Sequence, residues 1–175
     1  VDERCVDPSS VDSNFGSANK HFFSKVNISN NNIFRIRGEE KPEIEASNYT
    51  ELLKTKTETI KNIPSLDLCL LGIGGDGHTA SIFPHELKKL SDKSDCVVGI
   101  NPDSGQKRVS LSIKQINNSK EVIFHVCGSG KKDVVDMIIS KRENYLDLPA
   151  SHILPNSKNL SWYLDFDSAE TFMGT

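Results

Sequence analysis

A short apolar run that breaks into a glycine-rich loop constrains this chain more than any other feature of its sequence. Residues 68–71 read LCLL, and residues 72–78 read GIGGDGH. Such a run is typical of a buried strand, and Thr79 and Ser81 behind His78 suit the first turn of a helix. We therefore predict a strand, a loop and a helix start. In open parallel α/β sheets the ligand crevice lies beyond the carboxyl ends of the strands, so we expect the active site here.

The loop carries a histidine with an acidic neighbour. Glycines let the backbone approach a ligand closely, and free N–H groups at a helix start attract negative oxygens. At such a helix start we expect His78 to favour its neutral form, which can act as a general base. Asp76 has two candidate roles, capping the helix or orienting the imidazole of His78. A tight turn without chemistry is the alternative for the whole loop.

The sequence argues against two nucleotide-binding motifs. Gly72, Gly74 and Gly77 match the G-x-G-x-x-G spacing, but a dinucleotide site also needs a second strand that ends in an acidic residue about 20 residues later. Residues 83–95 read FPHELKKLSDKSD, which is polar and has no strand pattern, and Pro84 stands against a long helix. The phosphate loop G-x-x-x-x-G-K-[ST] does not occur.

Composition and charge are those of an ordinary globular domain. The 175 residues predict a single domain over residues 1–175, and 36% hydrophobic and 26% charged residues agree with this. A net charge of −3 gives no footprint for nucleic acid or an anionic membrane. No apolar run is long enough to span a membrane, and no signal peptide pattern is present. Four cysteines without a C-x-x-C pair argue against a structural zinc site and predict a reducing compartment, with the cytoplasm as the expectation.

The remaining pattern predicts an α/β chain. We expect helices over residues 14–26, 44–62, 112–118 and 132–141, and strands over residues 33–36, 96–100, 107–113, 121–127 and 160–164. Residues 85–95 are expected to be a polar surface segment, residues 148–154 a turn leading into a short strand, and residues 165–175 a short helix or a frayed tail. A second glycine turn, residues 128–131, ends in Lys131 at a helix start. Lys131 is a candidate phosphate ligand, with an ordinary exposed lysine as the alternative.

The first residues, VDERCV, look like the carboxyl end of a strand. Because no initiating methionine precedes Val1, we expect a fragment or a processed chain. Asp2, Glu3 and Arg4 are either site residues at that strand end or a solvated charge cluster.

These motifs together resemble the 6-phosphogluconolactonase family, which is related to the glucosamine-6-phosphate deaminases. The resemblance covers nearly the whole chain and is most specific in GGDGHTASIFP. The segments that carry it are VDERCV at 1–6, DSN at 12–14, residues 66–84, KRVSLS at 107–112, GSGK at 128–131, LPAS at 148–151 and LSWYLD at 160–165. It implies a Rossmann-like, open and mainly parallel sheet flanked by helices. It also implies a small-molecule sugar phosphate as partner, and the net charge predicts no nucleic acid and no membrane.

The resemblance implies hydrolysis of 6-phospho-D-glucono-1,5-lactone in the oxidative pentose phosphate pathway, without a metal or an organic cofactor. His78 would be the general base, with Asp2 and Arg4 as the other catalytic residues and Arg4 near the phosphate. The residues implied in substrate binding are Gly74, Gly75, Asp76, Gly77, Arg108 and Lys131. Such chemistry needs a near-neutral base, an oxyanion donor and a cationic clamp.

The resemblance also implies a further segment before Val1, with a first strand and a Gly-Gly-x-Thr phosphate loop. We therefore expect an N-terminally truncated domain, the C-terminal part of the full family domain. Its parent chain could be fused to glucose-6-phosphate dehydrogenase, as in some family members. Two other functions stay open: a catalytically inactive homologue that binds a sugar phosphate or a partner protein, and an enzyme like the glucosamine-6-phosphate deaminases.

Overall fold

The computed structural model describes residues 1–91 and 94–172, and these residues alternate between short strands and helices. Four helices are formed: α1 (Asn14–His21), α2 (Pro42–Lys56), α3 (Ile113–Asn117) and α4 (Lys132–Ile139). The strands are β1 (Asp2–Arg4), β2 (Glu58–Ile60), β3 (Ile63–Ser65), β4 (Cys69–Leu71), β5 (Cys96–Ile100), β6 (Lys107–Leu111), β7 (Val122–Val126) and β8 (Leu160–Leu164). None of the helices in these ranges has the length and apolar character needed to cross a membrane.

The strand that leads into the glycine loop belongs to a parallel sheet of order β4-β7-β8. Its side chains alternate between two faces, as strand geometry requires. On the inner face Leu71 and Phe124 are buried, and the ring of Phe124 stacks on Trp162 with a centroid distance of 4.1 Å. On the outer face Leu70 and Tyr163 remain 59% and 58% exposed. The sheet therefore packs on the rest of the chain through one face.

A second sheet, of order β1-β6-β5, is antiparallel. Its register places Arg4 opposite Arg108 and Asp2 opposite Ser110. Residues directly opposite each other in such a pair project from the same face of the sheet. This pairing places residues 2–4 beside residues 108–110, which lie more than 100 residues later in the chain.

The two sheets share one hydrophobic core. It includes Leu71 and Phe124 from the parallel sheet, Val109 and Leu111 from β6, and Val135 from α4. α3 follows β6 and precedes β7, and α4 forms the crossover between the parallel strands β7 and β8. The α/β class and the Rossmann-like arrangement are therefore confirmed, with the antiparallel sheet beside the parallel one.

Several predicted elements are wrong in extent or kind. Residues 33–36 do not form a strand, since they lie in an extended loop held by side chains, in which Tyr49 donates to the carbonyl of Phe34. The helix predicted over 44–62 ends at Lys56, and a hairpin of β2 and β3 follows. Its turn residues Lys61 and Asn62 both have positive φ, the conformation that two-residue hairpin turns require.

Other predicted boundaries also change. α1 ends at His21 and is followed by a 3₁₀ turn, Phe23–Lys25. The polar segment 85–95 is in part a 3₁₀ helix, Pro84–Ser91, and residues 92–93 lie outside the described residues. Residues 148–154 contain a 3₁₀ turn, Pro149–His152, instead of a strand. Near the end a 3₁₀ turn, Glu170–Phe172, is formed, and residues 173–175 lie outside the described residues.

The predicted helix start behind His78 is also wrong. Residues 78–83 instead form a tight turn in which the amide of Ile82 donates to the carbonyl of Thr79 at 3.0 Å. Ala80 takes a positive φ of 50°, which an α-helix does not allow. The turn is anchored from below because the buried hydroxyl of Thr79 donates to the carbonyl of Gly72 at 2.9 Å.

Candidate active site

A polar cleft of about 260 Å³ lies where β1, β6 and the glycine loop meet. Four residues predicted for the site line it together: Asp2, Arg4, His78 and Arg108. The other lining residues are Val1, Asn14, Gly72, Ile73 and Ala80. Gly74, Gly75, Asp76, Gly77 and Lys131 are not among the lining residues. The cleft therefore collects titratable groups that are far apart in the sequence.

The glycine loop folds back on itself. The amide of Gly74 donates to the carbonyl of His78 at 2.8 Å, and the amide of Gly77 donates to the carbonyl of Gly74 at 3.0 Å. A side chain at Gly74 would overlap the imidazole of His78 and the carboxylate of Asp76. Gly77 has a φ of 81°, and a Cβ there would lie 2.8 Å from Leu148. Glycine is therefore required at both positions, for space at Gly74 and for backbone conformation at Gly77.

Asp76 orients the imidazole of His78. Its Oδ1 lies 2.6 Å from Nδ1 of the ring and accepts the amide of His78 at 3.1 Å. Burial alone would raise the pKa of Asp76, but these hydrogen bonds outweigh it and lower the pKa below the usual value. An ionised carboxylate at this position accepts the Nδ1 proton of neutral imidazole, which leaves the Nε2 lone pair free to accept a proton.

The orienting role of Asp76 is therefore supported by geometry, and the helix-capping role is wrong, since no helix begins at this loop. Because no helix begins here, a helix terminus does not act on the imidazole of His78. A different environment surrounds the ring, which packs against Phe83 with a centroid distance of 4.8 Å. The His78 side chain keeps 28% of its surface exposed, so solvent and ligands can reach it.

Asp2 is held by a serine that sequence reasoning assigned to a helix turn. The buried hydroxyl of Ser81 donates to Oδ2 of Asp2 at 2.7 Å, and the amide of Ser81 donates to the hydroxyl of Ser110 at 3.1 Å. This contact joins the turn behind His78 to β1. It fixes the orientation of the Asp2 carboxylate through Oδ2.

Two guanidinium groups form the cationic part of the cleft. Arg4 and Arg108 are opposite each other in the β1–β6 register, and the Nε atom of each is buried without a hydrogen-bond partner among the described residues. Burial and the neighbouring Arg4 charge lower the pKa of Arg108, while Asp2 opposes the change. Buried, unpaired donors on two like charges create a place where an anion would be bound favourably.

Lys131 lies on a neighbouring loop. β4 and β7 are adjacent and parallel, so the glycine loop and residues 128–131 leave the sheet at the same edge. A Cβ on Gly75 would lie 4.0 Å from the carbonyl of Gly130. Lys131 itself does not line the cleft, and its role as a phosphate ligand stays a prediction.

Sequence reasoning missed the parts played by Asn14 and Ser81. It left Glu3 open between a site residue and a solvated charge, whereas Glu3 is only 4% exposed. Asn14 lines the cleft and donates its side-chain N–H to the carbonyl of Asp2 at 3.0 Å. The signal for Asn14 was the helix cap at Ser13, which places the next residue at the start of α1. No local pattern gives the Ser81 contact, because 79 residues separate it from Asp2.

Metal-ligand clusters were sought among residues 1–91 and 94–172. Within them, no group of three or more His, Cys, Asp or Glu residues is placed to hold a metal ion. The expectation that the chain uses no cofactor stays a prediction.

Comparison with known proteins identifies the family. A family model described as glucosamine-6-phosphate isomerases/6-phosphogluconolactonase matches residues 1–162. The 6-phosphogluconolactonase of Treponema pallidum is 40% identical over 139 residues, which cover 79% of this chain and 58% of the relative. The crystal structure of devB protein is 40% identical and superposes with a TM-score of 0.92, covering 97% of this chain and 71% of the other.

A larger relative is named as a bifunctional protein. The GDH/6PGL endoplasmic bifunctional protein of Homo sapiens is 32% identical over 170 residues, which are 96% of this chain but 22% of that protein. The chain thus spans less than two thirds of the Treponema relative and about a fifth of the human one. The match extends from Val1 to the closing strand and carries the cleft residues with it, and the chain belongs to the glucosamine-6-phosphate isomerase/6-phosphogluconolactonase family.

Proposed function

We propose that the chain hydrolyses 6-phospho-D-glucono-1,5-lactone to 6-phosphogluconate, the lactone step of the oxidative pentose phosphate pathway. The observation that carries the proposal is the position of His78. Its ring lines a cleft with two guanidinium groups, and Asp76 engages Nδ1 at 2.6 Å. Relatives named 6-phosphogluconolactonase support this choice of substrate.

The first step requires a base. Nε2 of His78 accepts a proton from a water molecule while the water oxygen forms a bond to the lactone carbonyl carbon. The carbonyl electrons move to oxygen, and the resulting oxyanion needs a hydrogen-bond donor. We assign this to the amide of Gly75, which lies outside the cleft lining but is exposed on the loop that carries His78. Asp2, fixed by Ser81, positions the water and the base.

The second step opens the ring. The oxyanion collapses, the bond between the carbonyl carbon and the ring oxygen breaks, and protonated His78 returns its proton to that oxygen. The products are a carboxylic acid, which ionises, and a hydroxyl group, so atoms and charges balance. His78 leaves the cycle in its starting form, as a general acid–base catalyst must.

The phosphate would be bound at the opposite end of the cleft. Arg4 and Arg108 offer guanidinium donors whose Nε atoms have no partner in the described structure. Guanidinium groups bind phosphate oxygens in bidentate fashion, so both suit a phosphate dianion. Lys131 would add a further positive charge from the neighbouring loop. Gly74 and Gly77 would act through the loop conformation that carries His78 to the cleft.

The direct test is turnover of freshly prepared lactone by the purified protein, followed by acid release. We expect hydrolysis at least 100-fold above the spontaneous rate, within the range that a general base supplies. Ammonia release from glucosamine 6-phosphate, measured in parallel, should be absent. Product binding without turnover would contradict the enzyme and favour an inactive homologue, and ammonia release would favour a deaminase.

Fusion and location are further proposals. The human bifunctional relative supports a parent chain fused to glucose-6-phosphate dehydrogenase. The mass of the native protein tests this, since a fused chain would be several times larger than 19.4 kDa. The four cysteines are all free thiols, which supports the cytoplasm. Fractionation of cells with an antibody against the chain checks that location.

A further inference from the structure

One wall of the cleft depends on a carboxylate that the proposed reaction does not use. Glu3 lies between Asp2 and Arg4 on β1, and successive strand residues point to opposite faces of the sheet. Glu3 therefore points away from the cleft, and it is only 4% exposed. A buried charge is costly unless hydrogen bonds surround it. The hydrogen bonds of Glu3 therefore indicate what its side chain does.

Four donors surround the Glu3 carboxylate. Oε1 accepts the amides of Arg4 at 2.8 Å and Asn14 at 2.7 Å. Oε2 accepts the amide of Phe15 at 2.7 Å and the hydroxyl of Ser13 at 3.1 Å. Three of these donors belong to the start of α1, so Glu3 ties that helix start to β1.

This arrangement occupies the N-terminus of α1. The free amides of a first helical turn form a ready site for an anion, but Glu3 fills it from within the protein. A substrate phosphate is therefore left to Arg4 and Arg108, whose Nε atoms have no hydrogen-bond partner within residues 1–91 and 94–172.

The same contacts fix two residues that line the cleft. The amides of Arg4 and Asn14 share one oxygen of Glu3, and the side chain of Asn14 donates to the carbonyl of Asp2 at 3.0 Å. Nη1 of Arg4 donates to the carbonyl of Asp12 at 2.7 Å, close to the α1 start. β1 and the beginning of α1 thus form one hydrogen-bonded unit.

We propose that Glu3 is a positioning residue, a buried anion that holds Arg4 and Asn14 where a phosphorylated sugar can be bound. The inference rests on the proposed function, because its kinetic test measures KM and kcat for the lactone. Displacing a binding group by about 1 Å can reduce a rate or an affinity strongly, so the effect of Glu3 should appear in substrate binding.

Glu3→Gln tests the proposal with little change in shape. The amide nitrogen of glutamine cannot accept the N–H of Phe15, so the helix start must shift. We expect KM for the lactone to rise about tenfold and kcat to stay within about threefold. The dissociation constant of 6-phosphogluconate should rise by the same factor as KM.

Glu45→Gln is the matched control. Glu45 is a carboxylate on α2 that is 3% exposed and accepts the amide of Arg37 at 2.8 Å, and it does not line the cleft. This variant should keep the KM of the unmodified protein. If Glu3→Gln fails to fold, Ser13→Ala removes one donor to the same carboxylate, and it should raise KM about threefold.

Backbone amide signals of Arg4 and Asn14, measured by NMR without ligand, give a readout that needs no activity. We expect both to move in Glu3→Gln and to stay in place in Glu45→Gln. Unchanged signals, or an unchanged KM in Glu3→Gln and Ser13→Ala, would overturn the positioning role. A protein that never hydrolyses lactone would refute the proposed function instead, and the amide signals would still decide the role of Glu3.

Discussion

His78 and Asp76 contact each other because the residue at position 74 has no side chain. Nδ1 of His78 and Oδ1 of Asp76 lie 2.6 Å apart, within a loop closed by hydrogen bonds of the Gly74 and Gly77 amides. The contact sets which ring nitrogen can accept a proton. The chemistry of the loop therefore depends on the carboxylate and on the space beside it.

Asp76→Asn tests the carboxylate. An asparagine can donate its own N–H to Nδ1, which would favour the tautomer with the proton on Nε2 and block the base. We expect kcat to fall about 100-fold with KM nearly unchanged, measured in the lactone assay. A kcat within threefold of the unmodified protein would show that the 2.6 Å contact does not set the tautomer.

Gly74→Ala tests the space. Its methyl group would overlap the His78 ring and the Asp76 carboxylate, so the ring must move. We expect kcat to fall more than tenfold while circular dichroism stays unchanged. Gly72→Ala adds the same methyl group where no heavy atom lies within 4 Å and should lose less activity. Equal losses in the two variants would contradict the steric explanation.

The family resemblance predicted His78, Asp2, Arg4 and Arg108 as members of one site, and the cleft contains all four. The contact of Ser81 with Asp2 could not be predicted from local patterns, because 79 residues separate the two, whereas the helix cap at Ser13 gave a signal for Asn14. Lys131 was plausible from its helix start, yet it does not line the cleft. The catalytic roles of His78, Asp2 and Arg4 remain predictions.

Among the elements, the loop over residues 33–40 shows why an apolar run need not be a strand. No strand of the described residues pairs with the run IFRI, and side chains hold the loop instead: Tyr49 donates to the carbonyl of Phe34, and Glu45 accepts the amide of Arg37, the residue after the run. Arg35 binds Glu39 with both terminal nitrogens, at 2.8 Å and 2.5 Å. Tertiary contacts thus replaced the ladder that the pattern predicted.

The Arg35–Glu39 pair gives a pH prediction. The hydrogen bonds from Arg35 lower the pKa of Glu39 from 4.5 to about 2. A lowered pKa in the folded state means that the pair stabilises the fold above pH 4.5 and stops doing so as pH falls through about 2. Both side chains are about 30% exposed, with values of 27% and 32%, so the contribution is at most about 1 kcal/mol.

Glu39→Gln should therefore lower the free energy of unfolding by less than about 1 kcal/mol at pH 7. The difference from the unmodified protein should shrink between pH 4.5 and pH 2, as urea titrations at several pH values would show. A difference that grows on acidification would contradict the assignment of the lowered pKa to Glu39.

Boundaries were predicted well where the pattern was strong. β5, β7 and α4 lie where their apolar runs indicated, because each buries several apolar side chains, and β8 also lies where predicted although its side chains are only half-buried or exposed. The hairpin of β2 and β3 was missed, since its turn uses Lys61 and Asn62 in place of the glycine that such turns usually show. The helix start behind His78 was wrong because Ala80 turns the chain away.

Across the whole molecule, the two sheets depend on one core. Phe124 is fully buried and stacks on Trp162, and it belongs to the same cluster as Val109 and Leu111 of the other sheet. Phe124→Ala should lower the free energy of unfolding by about 3–5 kcal/mol. Leu70→Ala, on the exposed face of the same sheet, should cost less than about 1 kcal/mol.

Urea unfolding followed by the fluorescence of Trp162, the single tryptophan, measures both variants. We expect one cooperative transition in each, because the cleft residues and the parallel sheet are joined by the same core. Two separate transitions in Phe124→Ala would show that the sheets unfold independently.

The fold class was predictable at this scale from alternating strands and helices, and the pairing of β1 with β6 was not. That pairing joins residues 2–4 to residues 108–110, and no periodicity in the sequence encodes such a contact. The same pairing brings Asp2, Arg4 and Arg108 together in the cleft. The site could therefore be predicted only from the family resemblance and not from periodicity.

The most direct test of His78 as the base is the lactone hydrolysis rate of His78→Ala beside its affinity for 6-phosphogluconate. We expect kcat to fall by a factor of about 100 to 10,000, with product affinity within about threefold of the unmodified protein. Undiminished hydrolysis by His78→Ala, at normal affinity, would contradict the proposed role of the ring.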